Sequence, residues 1–255
     1  MKSPLKLTTK QFKSLPVLKG LLPVGSVIHS FLMFDGGVEI PLAADGRFVV
    51  SHTNSYSIYE FWTCLKQNPE QVRNVITYFD NIEDPNIFYL LQETQPNYAD
   101  PFVRAGIFFL LNKYSKTGYI SHGEFEPDSY NPAAFVNLMR VPFGMLDVQL
   151  NKSDNFWESI EKIKTVCDYV LVPVGDYSLN IFEDTGATLG YDQTRVNHRQ
   201  LKQTLTNSDK RMVLMYHYTP SVARFYKDHS LHLVDKWGRR TDSDKNAVEV
   251  LVANF

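Results

Sequence analysis

Residues 26–62 read SVIHSFLMFDGGVEIPLAADGRFVVSHTNSYSIYEFW, and this stretch decides the fold. An apolar run ends in a glycine pair, a polar Asp-Gly turn follows, and a second apolar run leads into a helical pattern that begins at Tyr56. The order of strand, glycine-rich turn, short helix, strand and helix is the opening unit of a nucleotide-binding α/β domain. We therefore predict a first strand over 26–34 and a second over 47–51.

The size and composition of the chain narrow the classes of function. Its 255 residues suit one large domain, or one domain with a small insert. The formal charge of -2 and a pI of about 6.4 argue against a dedicated nucleic-acid binder, although a local basic patch stays compatible with them. Cys64 and Cys167 lie far apart in apolar surroundings, so we expect two buried thiols. No metal site is expected, because the Cys and His spacing fits none.

The amino-terminal segment and the apolar runs predict where the chain resides. Residues 1–25 carry five lysines and no acid, and they contain no apolar core typical of a signal peptide. No apolar run approaches the ~18 residues that a membrane span needs. We therefore expect a cytoplasmic protein that does not enter a membrane.

Three further stretches carry local patterns. Residues 101–115 form the most regular helical pattern, with proline in the first turn. Residues 169–172 form a continuous apolar run that suits a buried parallel strand. Residues 155–168 are amphipathic with helical spacing, and the segments 193–206 and 220–229 also favour helices. The segment 180–192 is predicted to be a loop.

In chain order, several motifs resemble those of the Dam-type DNA adenine-N6 methyltransferases. FDGG at 34–37 is similar to the FxGGG cofactor loop of that family. LLNKYSKTGYISHGEF at 110–125, followed by VPFG at 141–144, resembles its L-N-[RK]…G…G-x-F…VPFG region, and residues 213–255 resemble its carboxy-terminal strand, helix and hairpin. The resemblance covers residues 8–255 and implies methyl transfer from S-adenosylmethionine to adenine N6 in DNA.

The resemblance implies an α/β fold with a Rossmann-like methyltransferase sheet of mixed, mostly parallel strands and a small helical insert domain. The core would comprise 1–54 and 146–255, and the insert, similar to a target-recognition domain, would comprise 55–145. It also implies cofactor-binding roles for the residues that match the family's lysine, its glycine loop and its ribose site. These residues are Lys10, Phe34, Asp35, Gly36, Gly37 and Thr53. Two alternatives stay open: a solvated basic arm around Lys10 and an ordinary tight turn at the glycines.

Three positions depart from the family pattern. The ribose site, an Asn-Asp pair in the family, is matched here by His52 and Thr53, which cannot accept two hydroxyl hydrogen bonds as a carboxylate does. The catalytic DPPY tetrapeptide is matched by PVGDY at 173–177, so Asp176 and Tyr177 retain an acid and an aromatic ring but stand adjacent to each other. The S-N-H-D element is replaced by YHYT at 216–219.

Asp176 and Tyr177 are nevertheless the residues that match a catalytic role. In the family, the acid and a backbone carbonyl accept hydrogen bonds from the adenine amino group, and the tyrosine stacks on the flipped base. Adjacent residues point in different directions, so this pair cannot reproduce that geometry. His217 is the best single site candidate outside the resemblance, with a satisfied, half-buried histidine as the alternative.

Three cations, Lys113, Arg239 and Arg240, are candidates for DNA contact. The two arginines lie on the predicted loop of the terminal hairpin, where a solvated loop is the alternative.

Three hypotheses follow from the combined departures. The first is a catalytically inactive methyltransferase-like protein that is re-used as a binding or structural module and binds protein partners. If the chain is phage-encoded and virion-associated, these partners include other phage proteins. This hypothesis expects no cofactor and a pocket plugged by side chains such as Met33 or His52. The second is an active, divergent S-adenosylmethionine-dependent DNA adenine-N6 methyltransferase, with Asp176 facing an open pocket. The third is a DNA-binding pseudoenzyme, with Lys10, Lys13, Lys113, Arg239 and Arg240 on one face.

Overall fold

A seven-stranded sheet forms the centre of the molecule. The computed structural model describes residues 2–79, 82, 84–127, 132–151, 156–163, 165–177, 188–189 and 193–255. The strands are β1 (Val27–Ser30), β2 (Phe48–Thr53), β3 (Leu146–Leu150), β4 (Tyr169–Gly175), β5 (Thr188–Leu189), β6 (Gln193–Thr194), β7 (Arg211–His217), β8 (Ser230–Asp235) and β9 (Ala247–Ala253). β5 and β6 form a separate antiparallel pair.

The strand order of the main sheet is β3-β2-β1-β4-β7-β9-β8. β1 pairs in parallel with β2 and β4, β2 with β3, and β4 with β7. β9 runs antiparallel to both of its neighbours, β7 and β8. A mostly parallel sheet with one reversed strand inserted near its edge confirms the predicted Rossmann-like methyltransferase fold.

Ten α-helices lie in the described part of the chain. They are α1 (Leu15–Leu21), α2 (Glu39–Ala43), α3 (Tyr56–Gln67), α4 (Pro69–Phe79), α5 (Pro85–Thr94), α6 (Pro101–Tyr114), α7 (Pro132–Leu138), α8 (Phe156–Glu161), α9 (His198–Asn207) and α10 (Pro220–Phe225). Short 3-10 turns lie at Thr8–Lys10 and Gln95–Asn97. No helix within the described residues is long and apolar enough to span a membrane.

Capping side chains set the starts of α6 and α9, and the sequence pattern predicts only the first of these starts correctly. Asp100 accepts a hydrogen bond from the Phe102 N–H at 2.8 Å, so α6 begins directly after it, as predicted. The helix predicted from residue 193 instead begins at His198, because the side chain of Asn197 caps it by accepting from the Gln200 N–H.

The strand boundaries differ from the prediction at the glycine turn. β1 ends at Ser30 rather than at residue 34, because the chain turns at Leu32, whose φ is 60°. β2 continues to Thr53 because its last residues pair with β3. The sequence does not predict β3, and within the described residues of the amphipathic stretch 155–168 the helix spans Phe156–Glu161. The predicted loop over 180–192 falls mostly outside the described residues.

Each face of the sheet carries its own apolar core. Alternate strand residues, such as Ile28 and Val213, face one large cluster that also contains buried residues of α1 to α6. The intervening residues, such as Val172 and Leu214, face a second cluster with α9 and α10. The helices between 55 and 145 therefore share a core with the sheet, and the proposed boundary of an insert domain stays a prediction.

Candidate functional site

The glycine turn after β1 is bonded to the rest of the protein. The Leu32 carbonyl accepts a hydrogen bond from the Lys10 ammonium group at 2.7 Å. The Met33 N–H donates to the His52 carbonyl at 3.0 Å, which ties the turn to the end of β2. These two chain segments would flank a nucleotide bound outside the carboxyl ends of the strands. Here they are joined by a backbone hydrogen bond.

Other backbone groups of the turn also form hydrogen bonds within the protein. The Phe34 carbonyl accepts from the indole N–H of Trp62 at 3.0 Å, inside the core. The Gly37 N–H donates to the Asp35 carboxylate at 3.1 Å, and the Asp35 carbonyl accepts from the Ser3 hydroxyl. Backbone N–H groups that could hold a ligand anion need to be free to face it, and the Gly37 N–H is already taken by a side chain of the turn itself.

The turn is also buried. Met33, Phe34 and Asp35 are 2%, 4% and 8% exposed. Gly36 adopts a φ of +68°, and a Cβ built there would lie 2.9 Å from the Ile40 side chain. The positive φ therefore favours glycine at this position, which accounts for its presence without a ligand.

The position that matches the family's ribose site does not suit sugar hydroxyls. Thr53 is 2% exposed, and its hydroxyl oxygen accepts a hydrogen bond from the Ser55 N–H at 3.3 Å. His52 stacks on Phe31 with ring centres 4.4 Å apart, and its Nε2 lies 3.0 Å from Nδ1 of His29. Burial, followed by the proximity of His29, lowers the pKa of His52 to about 4, so this ring is neutral at pH 7.

An amino-terminal arm, defined as residues 3–14, crosses the carboxyl edge of the sheet. Its 3-10 turn lies on the end of β4, where Gly175 has a φ of +90° and an added Cβ would lie 2.3 Å from the Thr9 carbonyl oxygen. Further along, the N–H groups of Lys13 and Ser14 donate to the buried carboxylate of Glu249 at 2.7 to 2.9 Å. The arm therefore covers the edge at which α/β proteins bind their ligands.

Three ionisable side chains, one of them in the arm, lie in surroundings that disfavour charge. Burial raises the pKa of Asp35 to about 7 and lowers the pKa of Lys10 to about 8, although Glu39 and Asp35 oppose the latter shift. Burial also lowers the pKa of Lys113 to about 7. Asp35 attracts both lysines. A half-buried Lys10 bonded to a protein carbonyl does not fit the solvated basic arm, which the sequence left open as the alternative to a cofactor-binding lysine.

The two residues that match the catalytic tetrapeptide diverge. The Asp176 carboxylate is exposed and lies 3.0 Å from Nδ1 of His217, at the ends of the neighbouring strands β4 and β7. Tyr177 instead packs on the other side, with its ring 4.8 Å from His198 and 5.7 Å from Phe225. An acid and a ring that face different surroundings cannot hold one flipped base between them.

The predicted DNA contacts also separate. Lys113 is only 4% exposed, so its ammonium group lies in the interior and does not suit contact with phosphate. Arg239 and Arg240 are both exposed on the hairpin between β8 and β9, beside Trp237, which is 72% exposed. The five cations of the DNA-binding hypothesis therefore divide between the interior and the surface.

Sequence reasoning missed two residues that close the site. Glu249 stands alone among apolar residues in AVEVLVA, and a single acid in such a strand signals a buried partner. Trp62 lies in an amphipathic helix, and its large size is the only feature of the sequence that indicates a role in closing the site. No group of three or more His, Cys, Asp or Glu residues within the described ranges is placed to hold a metal ion.

Comparison with known proteins adds little to these observations. No protein-family model and no curated protein matches the sequence. Among solved structures, the chain is similar to a TehB-like SAM-dependent methyltransferase from Corynebacterium glutamicum, at 9% identity and a TM-score of 0.37, over 95% of this chain and 86% of that one. So loose a likeness carries no argument, and the fold assignment rests on the order and direction of the strands.

Proposed function

We propose that this chain is a methyltransferase-like scaffold that does not transfer methyl groups and serves as a binding module for a protein partner. The observation that carries the proposal is the closure of the glycine turn by the chain's own residues. The carbonyls of Leu32 and Phe34 and the amides of Met33 and Gly37 all have protein partners. A cofactor would have to displace several of these bonds to reach the turn.

The residues around the turn do not fit S-adenosylmethionine. A ribose needs a carboxylate or a pair of acceptors at the end of β2, whereas Thr53 is buried there and already accepts a hydrogen bond. The amino-terminal arm lies on the end of β4 and fills the space above Gly175.

A second candidate function, divergent adenine methyl transfer, is favoured by one observation. The exposed Asp176 and the half-buried His217 form an acid–imidazole pair at the ends of adjacent strands. Such a pair could accept a proton from a substrate amine if the arm were displaced. It would need a cofactor site that the closed turn does not offer.

Methyl transfer to DNA decides between the two functions. The assay measures incorporation of labelled methyl groups from S-adenosylmethionine into adenine-rich duplex DNA, with an active adenine methyltransferase as the positive control. We expect no incorporation above the level of a protein-free blank. Incorporation that is abolished by Asp176→Asn would establish the enzyme and overturn the scaffold proposal.

A third candidate, DNA binding without modification, is favoured by the exposed Arg239 and Arg240. It requires an affinity for duplex DNA that falls steeply with salt. The substitutions Arg239→Gln and Arg240→Gln should then weaken binding and make its dependence on salt shallower.

A further inference from the structure

Helix α9 presents a polar, basic stripe to solvent. Its buried face contains Leu201 and Leu205, both 0% exposed. The opposite face carries residues at the spacing i, i+3, i+4 and i+7, which brings their side chains into one row. The stripe consists of Arg199, Lys202, Gln203 and Thr206. A row of this composition is available to an anionic partner.

This stripe forms one wall of a groove, and α10 forms the other. Two depressions of about 680 Å³ and about 380 Å³ share Lys202 and Phe225 in their linings, so they lie side by side, and together they are called the α9–α10 groove. The larger is also lined by Tyr177 and Arg224, and the smaller by Arg199. The groove therefore has a guanidinium group in each depression and aromatic rings along its wall.

The aromatic wall is held rigidly from behind. The ring of Phe225 meets that of Tyr226 edge-on at 4.9 Å, and Tyr177 contacts Phe225 at 5.7 Å. The hydroxyl of Tyr226 lies 3.0 Å from that of Tyr216, which in turn lies 3.0 Å from Nδ1 of His198. A wall fixed by buried hydrogen bonds needs little ordering when a ligand binds.

The charge around the groove contrasts with that of the whole chain. Residues 193–228 contain seven Lys or Arg and two Asp, whereas the chain carries a formal charge of -2. Arg199 and Arg224 are exposed, and neither forms an ion pair with a carboxylate in the described part of the chain. Lys202 donates to the Phe225 carbonyl and lies 3.9 Å from Asp228. Two guanidinium groups thus remain for a ligand.

We propose that the α9–α10 groove binds an acidic peptide segment of a partner protein that contains an aromatic residue. Carboxylates of the segment would pair with Arg199 and Arg224, whose planar forks match them. The aromatic residue would pack on Phe225, and the amide of Gln203 would pair with the peptide backbone. The inference rests on the proposed function, since it supplies the surface through which the closed scaffold binds its partner.

An acidic peptide fits the groove better than a nucleic acid does. A phosphodiester chain carries a charge at every nucleotide and is attracted by a broad basic surface, whereas this chain is slightly acidic overall. The amide and hydroxyl groups along α9 suit the donors and acceptors of a peptide backbone.

Fluorescence anisotropy with a designed probe tests the proposal. The probe is a labelled peptide of alternating Asp and Glu with one central Phe, titrated with the full chain at low and at physiological ionic strength. We expect saturable binding that weakens about tenfold in the double variant Arg199→Gln, Arg224→Gln, because two charge-assisted pairs are lost. Arg140→Gln removes an exposed cation outside the groove and should leave binding unchanged. Replacing the central Phe of the probe by Ala should also weaken binding.

Three results would overturn the proposal. They are the absence of saturable binding, equal binding by the double variant and Arg140→Gln, and displacement of the probe by oligothymidylate at a lower concentration than by unlabelled peptide. The last result would make the groove a nucleic-acid site. Thermal melts of the variants check that these exposed substitutions leave the fold intact.

This experiment does not depend on the cofactor. Binding of both S-adenosylmethionine and the probe would refute the proposed function and support the peptide-binding groove. Binding of neither would support the closed cofactor site and refute the peptide-binding groove.

Discussion

Substitution of Glu249 tests how firmly the amino-terminal arm is held. Its carboxylate is 3% exposed and accepts hydrogen bonds from the Lys13 and Ser14 N–H groups, at 2.7 to 2.9 Å. The change Glu249→Ala removes both acceptors and leaves two donors without a partner at the end of the arm. The arm should then loosen from β9 while the sheet stays folded.

The expected loss of stability follows from these contacts. A hydrogen bond to a charged group contributes about 1.5–3 kcal/mol net. Two donors would amount to about 3–6 kcal/mol, but the desolvation of a buried carboxylate offsets part of that sum. We therefore expect Glu249→Ala to lower the free energy of unfolding by about 3 kcal/mol. Glu249→Gln, which keeps one acceptor oxygen, should lower it by about half as much.

Urea unfolding measures the loss, and amide hydrogen exchange locates it. Exchange at residues 13 and 14 should accelerate in Glu249→Ala more than exchange in β4. Glu93→Gln is the matched control, because Glu93 is exposed on α5 and should shift stability by less than about 0.5 kcal/mol. A loss in Glu249→Ala as small as that of the control, with unchanged exchange in the arm, would refute the anchoring role.

Three further predictions concern the same region. Gly175→Ala should lower the free energy of unfolding, measured in urea, by more than about 2 kcal/mol, because the φ of this residue is +90° and the new Cβ would meet the Thr9 carbonyl. Gly144→Ala is the control and should be neutral, because its new Cβ would lie in open space. Burial lowers the pKa of Lys113 from 10.5 to about 7, so between these pH values the unfolded chain binds a proton that the folded chain does not, and the free energy of unfolding rises with pH. Lys113→Met should make that rise shallower, and an unchanged slope would contradict the burial of Lys113. Trp62→Phe should cost about 1–2 kcal/mol in the same assay, because a buried carbonyl loses its donor, and a neutral result would count against the closed turn.

Much of the fold could be predicted because its signals are local. The apolar runs and the capped helix at Pro101 each depend on a few neighbouring residues, and they lie in the structure as expected, although the first strand ends at Ser30 rather than at residue 34. β3 was missed because LDVQL is a short, half-buried edge strand with polar residues in alternation. Only its pairing with β2 makes it a strand.

The site was less predictable because its decisive contacts are long-range. Lys13 and Glu249 are separated by 236 residues, and Lys10 and Leu32 by 22. No local pattern joins such pairs. The departures at Thr53 and Asp176 could be identified from sequence alone, because each changes the chemistry of one position. The path of the arm over the carboxyl edge required the structure.

Calorimetric titration of the full chain with S-adenosylmethionine tests the central claim, closure of the cofactor site, most directly. S-adenosylhomocysteine is the parallel ligand, and Glu249→Ala is a variant in which the arm is loosened. We predict no heat of binding for either ligand with the unaltered chain, up to millimolar concentration. Saturable micromolar binding by the unaltered chain would contradict it, because the turn at residues 32–37 would then have to be open to the cofactor.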